Sequence, residues 1–218
     1  MKNDLQVIKG ITSPELTTPM LLGILSSYAD PRKKINTLTQ KGVLKHIKQG
    51  VYLLTEDAQL RPYSKEILAN LLYGPSYISL ETALSFYGFI PERPTTTTSV
   101  CLGRGKSFST IVGDFEYYHL KDSLYHHGVR LRETFPNTFF QMASPEKVLL
   151  DFLYFREKKG EFKNPIEYFN YIVESYRLDL KSIKATISKI NLQKLGTLYT
   201  SSVYINWFTS ELSKSLRA

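Results

Sequence analysis

The sequence of 218 residues contains one cysteine, Cys101, so no disulfide can form within the chain. The apolar run at residues 99–102 around this thiol is typical of a buried side chain rather than of a reactive nucleophile. No apolar run approaches the roughly 18 residues that span a bilayer, and residues 1–10 lack the apolar core of a signal peptide. These absences together predict a cytoplasmic protein that has no membrane partner.

Complete metal-binding and phosphate-binding motifs are also missing. His119, His126 and His127 are close in sequence, but no cysteine or paired acid stands at zinc spacing beside them. Residues 105–107, Gly-Lys-Ser, match the end of a P-loop, yet the first glycine of that motif would fall at Val100, and strand-like residues follow where a helix is needed. Surface histidines and a basic hairpin turn are therefore the favoured interpretations.

Four acids occupy positions where a paired-carboxylate site could be sought: Glu81, Glu92, Glu146 and Asp151. Glu81 and Glu146 fall in the first turns of predicted helices, where the helix dipole favours a carboxylate without any catalytic role. Because the chain holds no complete catalytic constellation, we expect a protein that is not an enzyme and that carries no cofactor and no metal.

The charge is strongly positive in one place. Lysine and arginine number 28 against 20 aspartate and glutamate residues, which gives a net charge of +8 and a pI near 9.4. Residues 31–48 contain no acid at all and six basic side chains: Arg32, Lys33, Lys34, Lys41, Lys45 and Lys48. An excess of this kind favours an anionic partner such as nucleic acid.

Residues 30–54 predict a short helix followed at once by a hairpin. Asp30 can cap the helix, Pro31 suits its first position, and Gly42 can end it in the left-handed conformation. Ile35 and Leu38 mark the buried stripe. The two strand-like runs that follow turn around residues 48–50.

A helix whose free face mixes cations with amides, joined to a basic hairpin, is typical of a winged helix-turn-helix. A preceding helix over residues 19–27 would complete the helical pair. We expect the cations to bind phosphates and the amides to reach base edges in the major groove. The predicted phosphate contacts are Arg32, Lys33, Lys34, Lys41, Lys45 and Lys48, and the predicted base contacts are Asn36, Thr37 and Gln40. The alternative is a solvated surface helix beside an ordinary hairpin.

The chain is predicted to be α+β, with a winged helix-turn-helix at 1–60 and a larger mixed α+β domain at 61–218 that ends in a helical tail. Five capping residues followed by proline indicate helix starts, at positions 13, 18, 30, 144 and 164. Strands are predicted at 96–102, 108–112, 115–120, 129–134 and 138–143. Residues 55–62 are interpreted as a polar connector that does not lock the two domains together. The pattern after residue 164 is helical.

Several segments together resemble the AbiEi family of antitoxins. They are Gly-Pro-Ser-Tyr-Ile-Ser-Leu-Glu-Thr-Ala-Leu at 74–84 with Tyr-Gly-Phe-Ile-Pro-Glu at 87–92, and Ala-Ser-Pro-Glu-Lys at 143–147 ahead of Leu-Leu-Asp at 149–151. Lys-Gly-Val-Leu at 41–44 and Gly-Val-Tyr at 50–52 are similar to the end of the recognition helix and the wing of the same family. The resemblance covers about residues 17–155.

The resemblance implies the antitoxin half of an abortive-infection, type IV toxin–antitoxin pair used in phage defence. The first domain would bind double-stranded DNA at inverted repeats in its own promoter and repress transcription. The second domain would counter a toxin of nucleotidyltransferase type, although antitoxins of this type need not touch their toxins. If it does make contact, the expected surface is basic: Arg104, Lys106, Arg130 and Arg132. The alternative is a winged-helix regulator whose tyrosine-rich second domain senses a small ligand and has no toxin partner.

Overall fold

A computed structural model describes residues 11–156, 162–199 and 202–216 of the chain. The fold is mixed α+β, as the sequence predicts, and contains a three-stranded and a six-stranded sheet. Two separate hydrophobic clusters underlie them, a small one near the N-terminus and a large one formed by most of the remaining chain.

The small sheet lies beside two helices. Its elements are β1 (Glu15–Thr17), α1 (Thr18–Ile24), α2 (Pro31–Gln40), β2 (Leu44–Lys48) and β3 (Val51–Leu54). The strand order is β1-β3-β2 and both pairings are antiparallel. The buried core of this unit is aliphatic: Leu16, Leu21, Leu25, Ile35, Leu38, Val43, Leu44 and Leu54.

Local signals explain where α2 begins and ends. The Asp30 carboxylate accepts a hydrogen bond of 2.9 Å from the backbone nitrogen of Lys33, which satisfies one of the donors left free in a first helical turn. Gly42 has φ 68°, a left-handed conformation that suits glycine and stops the helix. The predicted bounds of this helix are therefore confirmed.

The proline pairs at positions 13 and 18 are less reliable signals. Helix α1 begins at Thr18 rather than after it, and the capping hydroxyl belongs to Thr17. The predicted helix start at Ser13 is wrong: Pro14 precedes a strand, and its carbonyl accepts from the backbone nitrogen of Leu54 at 2.9 Å. Pairing with the distant strand β3 makes this segment extended rather than helical.

The large sheet has the strand order β6-β7-β5-β4-β9-β8. Its strands are β4 (Ser76–Ile78), β5 (Thr97–Cys101), β6 (Lys106–Thr110), β7 (Gly113–His119), β8 (Val129–Phe135) and β9 (Thr138–Ala143). The pairings β5/β7 and β4/β9 are parallel, and the others are antiparallel. Strand β6 begins two residues before the predicted start at 108, because the turn to β7 falls at residues 111–112.

Helices cover this sheet and continue beyond it. They are α3 (Lys65–Leu72), α4 (Leu80–Phe86), α5 (Asp122–Tyr125), α6 (Pro145–Arg156), α7 (Pro165–Ser175), α8 (Leu180–Thr186), α9 (Lys189–Gly196) and α10 (Val203–Ser215). Helix α6 is the central one, with Lys147, Leu150 and Asp151 all fully buried. The helical tail is part of the same core, since Tyr168, Ile183 and other tail side chains belong to the large cluster.

A buried polar network joins α6 to both the sheet and the tail. The Lys147 ammonium lies 2.9 Å from Asp151 Oδ1 and donates to the Tyr199 hydroxyl at 2.7 Å and to the Leu124 carbonyl at 2.9 Å. Asp151 also accepts from Tyr77 at 2.9 Å, from Ser79 at 2.9 Å and from Tyr199 at 2.6 Å. Because each charge is paired and hydrogen-bonded, the network can stabilise a buried position that neither charge could occupy alone.

Candidate nucleic-acid interface

One face of α2 is polar and open to solvent. Helical geometry places Lys33, Asn36, Thr37 and Gln40 in one stripe, opposite Ile35 and Leu38. Lys33, Asn36 and Gln40 are exposed and Thr37 is partly buried. The amides of Asn36 and Gln40 and the Lys33 cation therefore project into solvent from a helix whose opposite face packs on the small aliphatic core.

The flanks of this stripe differ from one another. Arg32 is exposed, as is Lys41 at the C-terminal end of the helix. The Lys34 ammonium instead lies 4.9 Å from the centre of the Tyr28 ring, close to the buried side of the helix. The Thr37 hydroxyl donates to the Lys33 carbonyl at 2.9 Å, so only its acceptor capacity faces outward.

The hairpin β2–β3 presents Lys45 and His46 to solvent, and the His46 ring packs edge-on against Tyr52 at 5.2 Å between ring centres.

Lys48 is not available to a phosphate, contrary to the prediction. Its ammonium donates to the Leu72 carbonyl at 2.7 Å and lies 3.8 Å from the centre of the Phe108 ring. Burial, with the nearby Lys106 charge, lowers the Lys48 pKa. We therefore remove Lys48 from the predicted DNA contacts. It instead joins the first unit, which is built on the three-stranded sheet, to the second unit, which is built on the six-stranded sheet.

The connector is also more firmly held than the sequence suggested. Glu15 of β1 is 1% exposed, and its two carboxylate oxygens accept from the Arg61 guanidinium at 3.1 and 2.8 Å. The backbone nitrogen of Ser64 donates to the same carboxylate at 2.5 Å. A two-pronged buried pair of this kind fixes the geometry, so the expectation of a connector without a lock is wrong.

The four basic residues expected to form one toxin-facing surface do not lie together. Lys106 begins β6 and Arg104 precedes it, whereas Arg130 and Arg132 lie on β8 at the opposite edge of the sheet. Five strand spacings of about 4.8 Å separate these edges by roughly 24 Å. The prediction of one surface is therefore wrong. Arg132 moreover donates to the Tyr87 hydroxyl at 3.1 Å.

The candidate catalytic side chains are used structurally. Glu81 pairs with Arg156 at 2.6 Å, Glu146 accepts from the backbone nitrogen of Ser188 at 2.8 Å, and Asp151 belongs to the buried network. Burial, followed by the Asp151 charge, raises the Tyr199 pKa well above its ordinary value, so this hydroxyl stays protonated. The segments that carry the family resemblance thus mainly hold the fold.

His119, His126 and the P-loop-like turn make only local contacts. His119 Nδ1 lies 3.0 Å from the carbonyls of Leu102 and Gly103, and His126 lies 3.2 Å from Asp122. Within residues 11–156, 162–199 and 202–216 no three His, Cys, Asp or Glu side chains come together as metal ligands would. Residues 105–107 enter β6 rather than a helix.

In the described part of the chain no helix combines the length and the apolar character needed to cross a membrane. Neither a protein-family model nor a curated protein matches the sequence. The resemblance to AbiEi antitoxins therefore depends only on the sequence segments quoted above.

Proposed function

We propose that the predicted first domain, residues 1–60, of which the structure describes 11–60, is a winged helix-turn-helix and that its second helix, α2, binds the major groove of double-stranded DNA. The helical pair α1–α2, followed by an antiparallel hairpin whose inner strand β3 also pairs with β1, supports this assignment. The hairpin β2–β3 would be the wing. The single observation that carries the proposal is the solvent-facing stripe on α2, in which Lys33, Asn36 and Gln40 are exposed and Thr37 is partly buried.

The chemistry of that stripe suits a duplex. An asparagine or glutamine amide can both donate to and accept from an adenine edge, and lysine can bind phosphates or guanine. Asn36 lies near the middle of the stripe and Gln40 at its C-terminal end, while Arg32, Lys41 and Lys45 lie around it. This distribution supports base reading by the exposed face of α2 and phosphate binding at its margins.

We further propose that the chain is a cytoplasmic transcriptional autorepressor and antitoxin that counters a nucleotidyltransferase-type toxin. Two things support this second step: the resemblance of residues 17–155 to AbiEi antitoxins, and the exposed basic and amide side chains of α2, which suit an operator-binding helix. The operator would be an inverted repeat in the promoter of its own operon.

The DNA-binding proposal is tested with the full-length chain, because the Glu15–Arg61 and Lys48–Leu72 contacts join the two units. Fluorescence anisotropy on the upstream promoter fragment should give specific binding that weakens steeply with salt, because bound lysines release counterions from phosphates. Lys33→Ala should weaken binding and lower the salt slope by about one. Lys194→Ala, an exposed lysine on α9, is the matched control and should change neither quantity. Equal effects of the two variants would contradict the proposal.

The antitoxin proposal predicts that a nucleotidyltransferase is encoded beside this gene, and co-expression with that neighbour tests it. The chain should restore growth, whereas an unrelated winged-helix repressor at equal level should not. Absence of such a neighbouring gene, or failure to restore growth, would favour the ligand-sensing regulator. A cavity of about 340 Å³, lined by Leu84, Ile90, Phe152 and Tyr176, supports that second candidate.

A further inference from the structure

The turn before β6 carries two exposed cations beside the hairpin of the first unit. Both Arg104 and Lys106 are exposed. The Lys106 ammonium lies 5.0 Å from the centre of the Tyr73 ring, and the Lys48 ammonium of the hairpin lies 5.7 Å from the same centre. Because each unit contributes a cation to one ring, the turn and the hairpin are neighbours.

Tyr73 also fixes the path of this turn. Its hydroxyl donates to the Arg104 carbonyl at 3.2 Å. Gly103 leaves the space in which that hydroxyl lies, since a Cβ at this position would collide with the hydroxyl oxygen. The two cations are therefore presented by a backbone that is already held in place, which reduces the ordering cost of a contact.

No acid of the neighbouring strand offsets these charges. Lys106 of β6 is opposite Tyr117 of β7, so the two share one face of the sheet. Asp114 and Glu116 alternate with Tyr117 along β7 and therefore lie on the other face. Neither Arg104 nor Lys106 forms an ion pair with any residue that the structure describes. The turn thus presents local positive charge to solvent, which attracts anions.

This turn lies at the end of the first unit that would face the duplex. The backbone nitrogen of Thr18, where α1 begins, donates to the Gly50 carbonyl in the turn of the hairpin at 2.9 Å. The first helix of a helix-turn-helix crosses the DNA backbone, so this end of the hairpin lies toward the phosphates. Lys48, two residues before Gly50, is the hairpin residue that contacts the second unit.

We propose that Arg104 and Lys106 bind phosphates of double-stranded DNA next to the segment that α2 contacts, so that the second unit extends the binding surface of the first. The proposal rests on the assignment of α2 as the DNA-binding helix and adds a contact that the first unit does not supply. Phosphate contacts of this kind fix position and carry no sequence information. The firm junction at Lys48 keeps the two cations beside the hairpin.

The test measures how salt weakens binding of the full-length chain to a duplex that contains the promoter fragment and its flanks. Arg104→Ala with Lys106→Ala should weaken binding and lower the salt slope by about two, because each phosphate contact accounts for about 0.9. Arg104→Lys with Lys106→Arg keeps both charges and should keep the slope. Lys181→Ala with Lys184→Ala, at two exposed lysines of α8, is the control of equal charge change and should also keep it.

A series of duplexes shortened from either end locates the contact. In the parent chain the slope should fall by about two when the flank beside the hairpin is removed. In the variant with alanine at 104 and 106 the same shortening should leave the slope unchanged. A parent slope that does not depend on either flank would contradict the proposal.

The Lys33→Ala variant separates this proposal from the assignment of α2. A lower slope for Lys33→Ala, with a parental slope for the folded variant at 104 and 106, would overturn the contact from the second unit alone. Parental slopes for both variants would overturn both assignments. A lower slope only for the variant at 104 and 106 would reject α2 as the DNA-binding helix and retain the two cations as phosphate contacts.

Discussion

The ammonium of Lys48 donates a 2.7 Å hydrogen bond to the carbonyl oxygen of Leu72, the last residue of α3. The last four carbonyls of a helix have no partner within the helix, and a cation is favoured at that end. The hairpin of the first unit is therefore attached to the second unit by a side chain that looks, in sequence, like one more phosphate contact.

This contact predicts different salt behaviour for two lysines of one strand. Lys45→Ala should lower the salt slope of DNA binding by about one, because Lys45 is exposed and available to a phosphate. Lys48→Met should leave the slope unchanged and reduce the free energy of unfolding by about 1–3 kcal/mol, because a charged hydrogen bond and the contact of the ammonium with the Phe108 ring are lost. Anisotropy titrations from low to high salt and urea melts measure the two effects. A lower slope for Lys48→Met would return this residue to the DNA surface.

The buried pair between Glu15 and Arg61 predicts a large loss of stability. Arg61→Ala leaves the Glu15 carboxylate buried without its partner and should cost about 3–5 kcal/mol. Lys214→Ala, which removes the exposed member of a pair with Glu211 one turn away on α10, should cost less than about 1 kcal/mol. Urea denaturation of both variants makes the comparison. Similar costs would mean that the connector is not held as described.

The buried tyrosines predict unfolding at alkaline pH. Burial first, and the Asp151 charge second, raise the pKa of both Tyr77 and Tyr199 in the folded state. The unfolded chain therefore loses these protons near pH 10, while the folded chain keeps them, so stability falls as pH rises above about 10. Each such tyrosine contributes a slope of up to about 1.4 kcal/mol per pH unit.

Tyr199→Phe provides the control for that prediction. The variant should be less stable at pH 7, because Asp151 loses a donor, yet its stability should fall less steeply above pH 10. Urea melts at pH 7, 10 and 11 would show both effects. An unchanged alkaline slope would mean that Tyr199 ionises in the folded state as readily as in the unfolded one.

Repression and antitoxicity should be separable. Changing Lys33, Lys34 and Lys41 together to alanine should abolish repression, because three positive charges are removed from the proposed DNA-binding unit. The aliphatic core of that unit contains none of these residues and should remain folded. Expressed from a foreign promoter beside the toxin, the folded triple variant should still restore growth. Loss of rescue would mean that antitoxicity acts through DNA binding.

The sequence predicts best what local contacts determine. Helix α2 carries its own start and stop signals in Asp30, Pro31 and Gly42, and it lies where they indicate. Strands β1 and β4 have only three residues each and form by pairing with distant segments, so no local pattern reveals them. For the same reason, Lys48 could not be distinguished from Lys45 by sequence.

The helical tail shows that apolar residue type alone does not identify the buried face of a helix. Ile166 and Ile190 belong to its apolar pattern, yet they are 61% and 76% exposed. Each lies two residues, or about 200° of helical rotation, from a fully buried side chain, Tyr168 and Leu192 respectively. The packing of α7 and α9 therefore decides which apolar residues are buried, and residue type alone does not.

The proposed reading of DNA by α2 is tested most directly by the specificity ratio of a double variant, Asn36→Ala with Gln40→Ala. We define this ratio as affinity for the promoter fragment divided by affinity for a scrambled fragment of equal length. It should fall at least about tenfold, since each base contact contributes about 1–3 kcal/mol. Binding to the scrambled fragment should be preserved, as should the ratio for Gln193→Ala, an exposed amide on α9. An unchanged ratio in a folded double variant would contradict the assignment of α2 as the recognition helix.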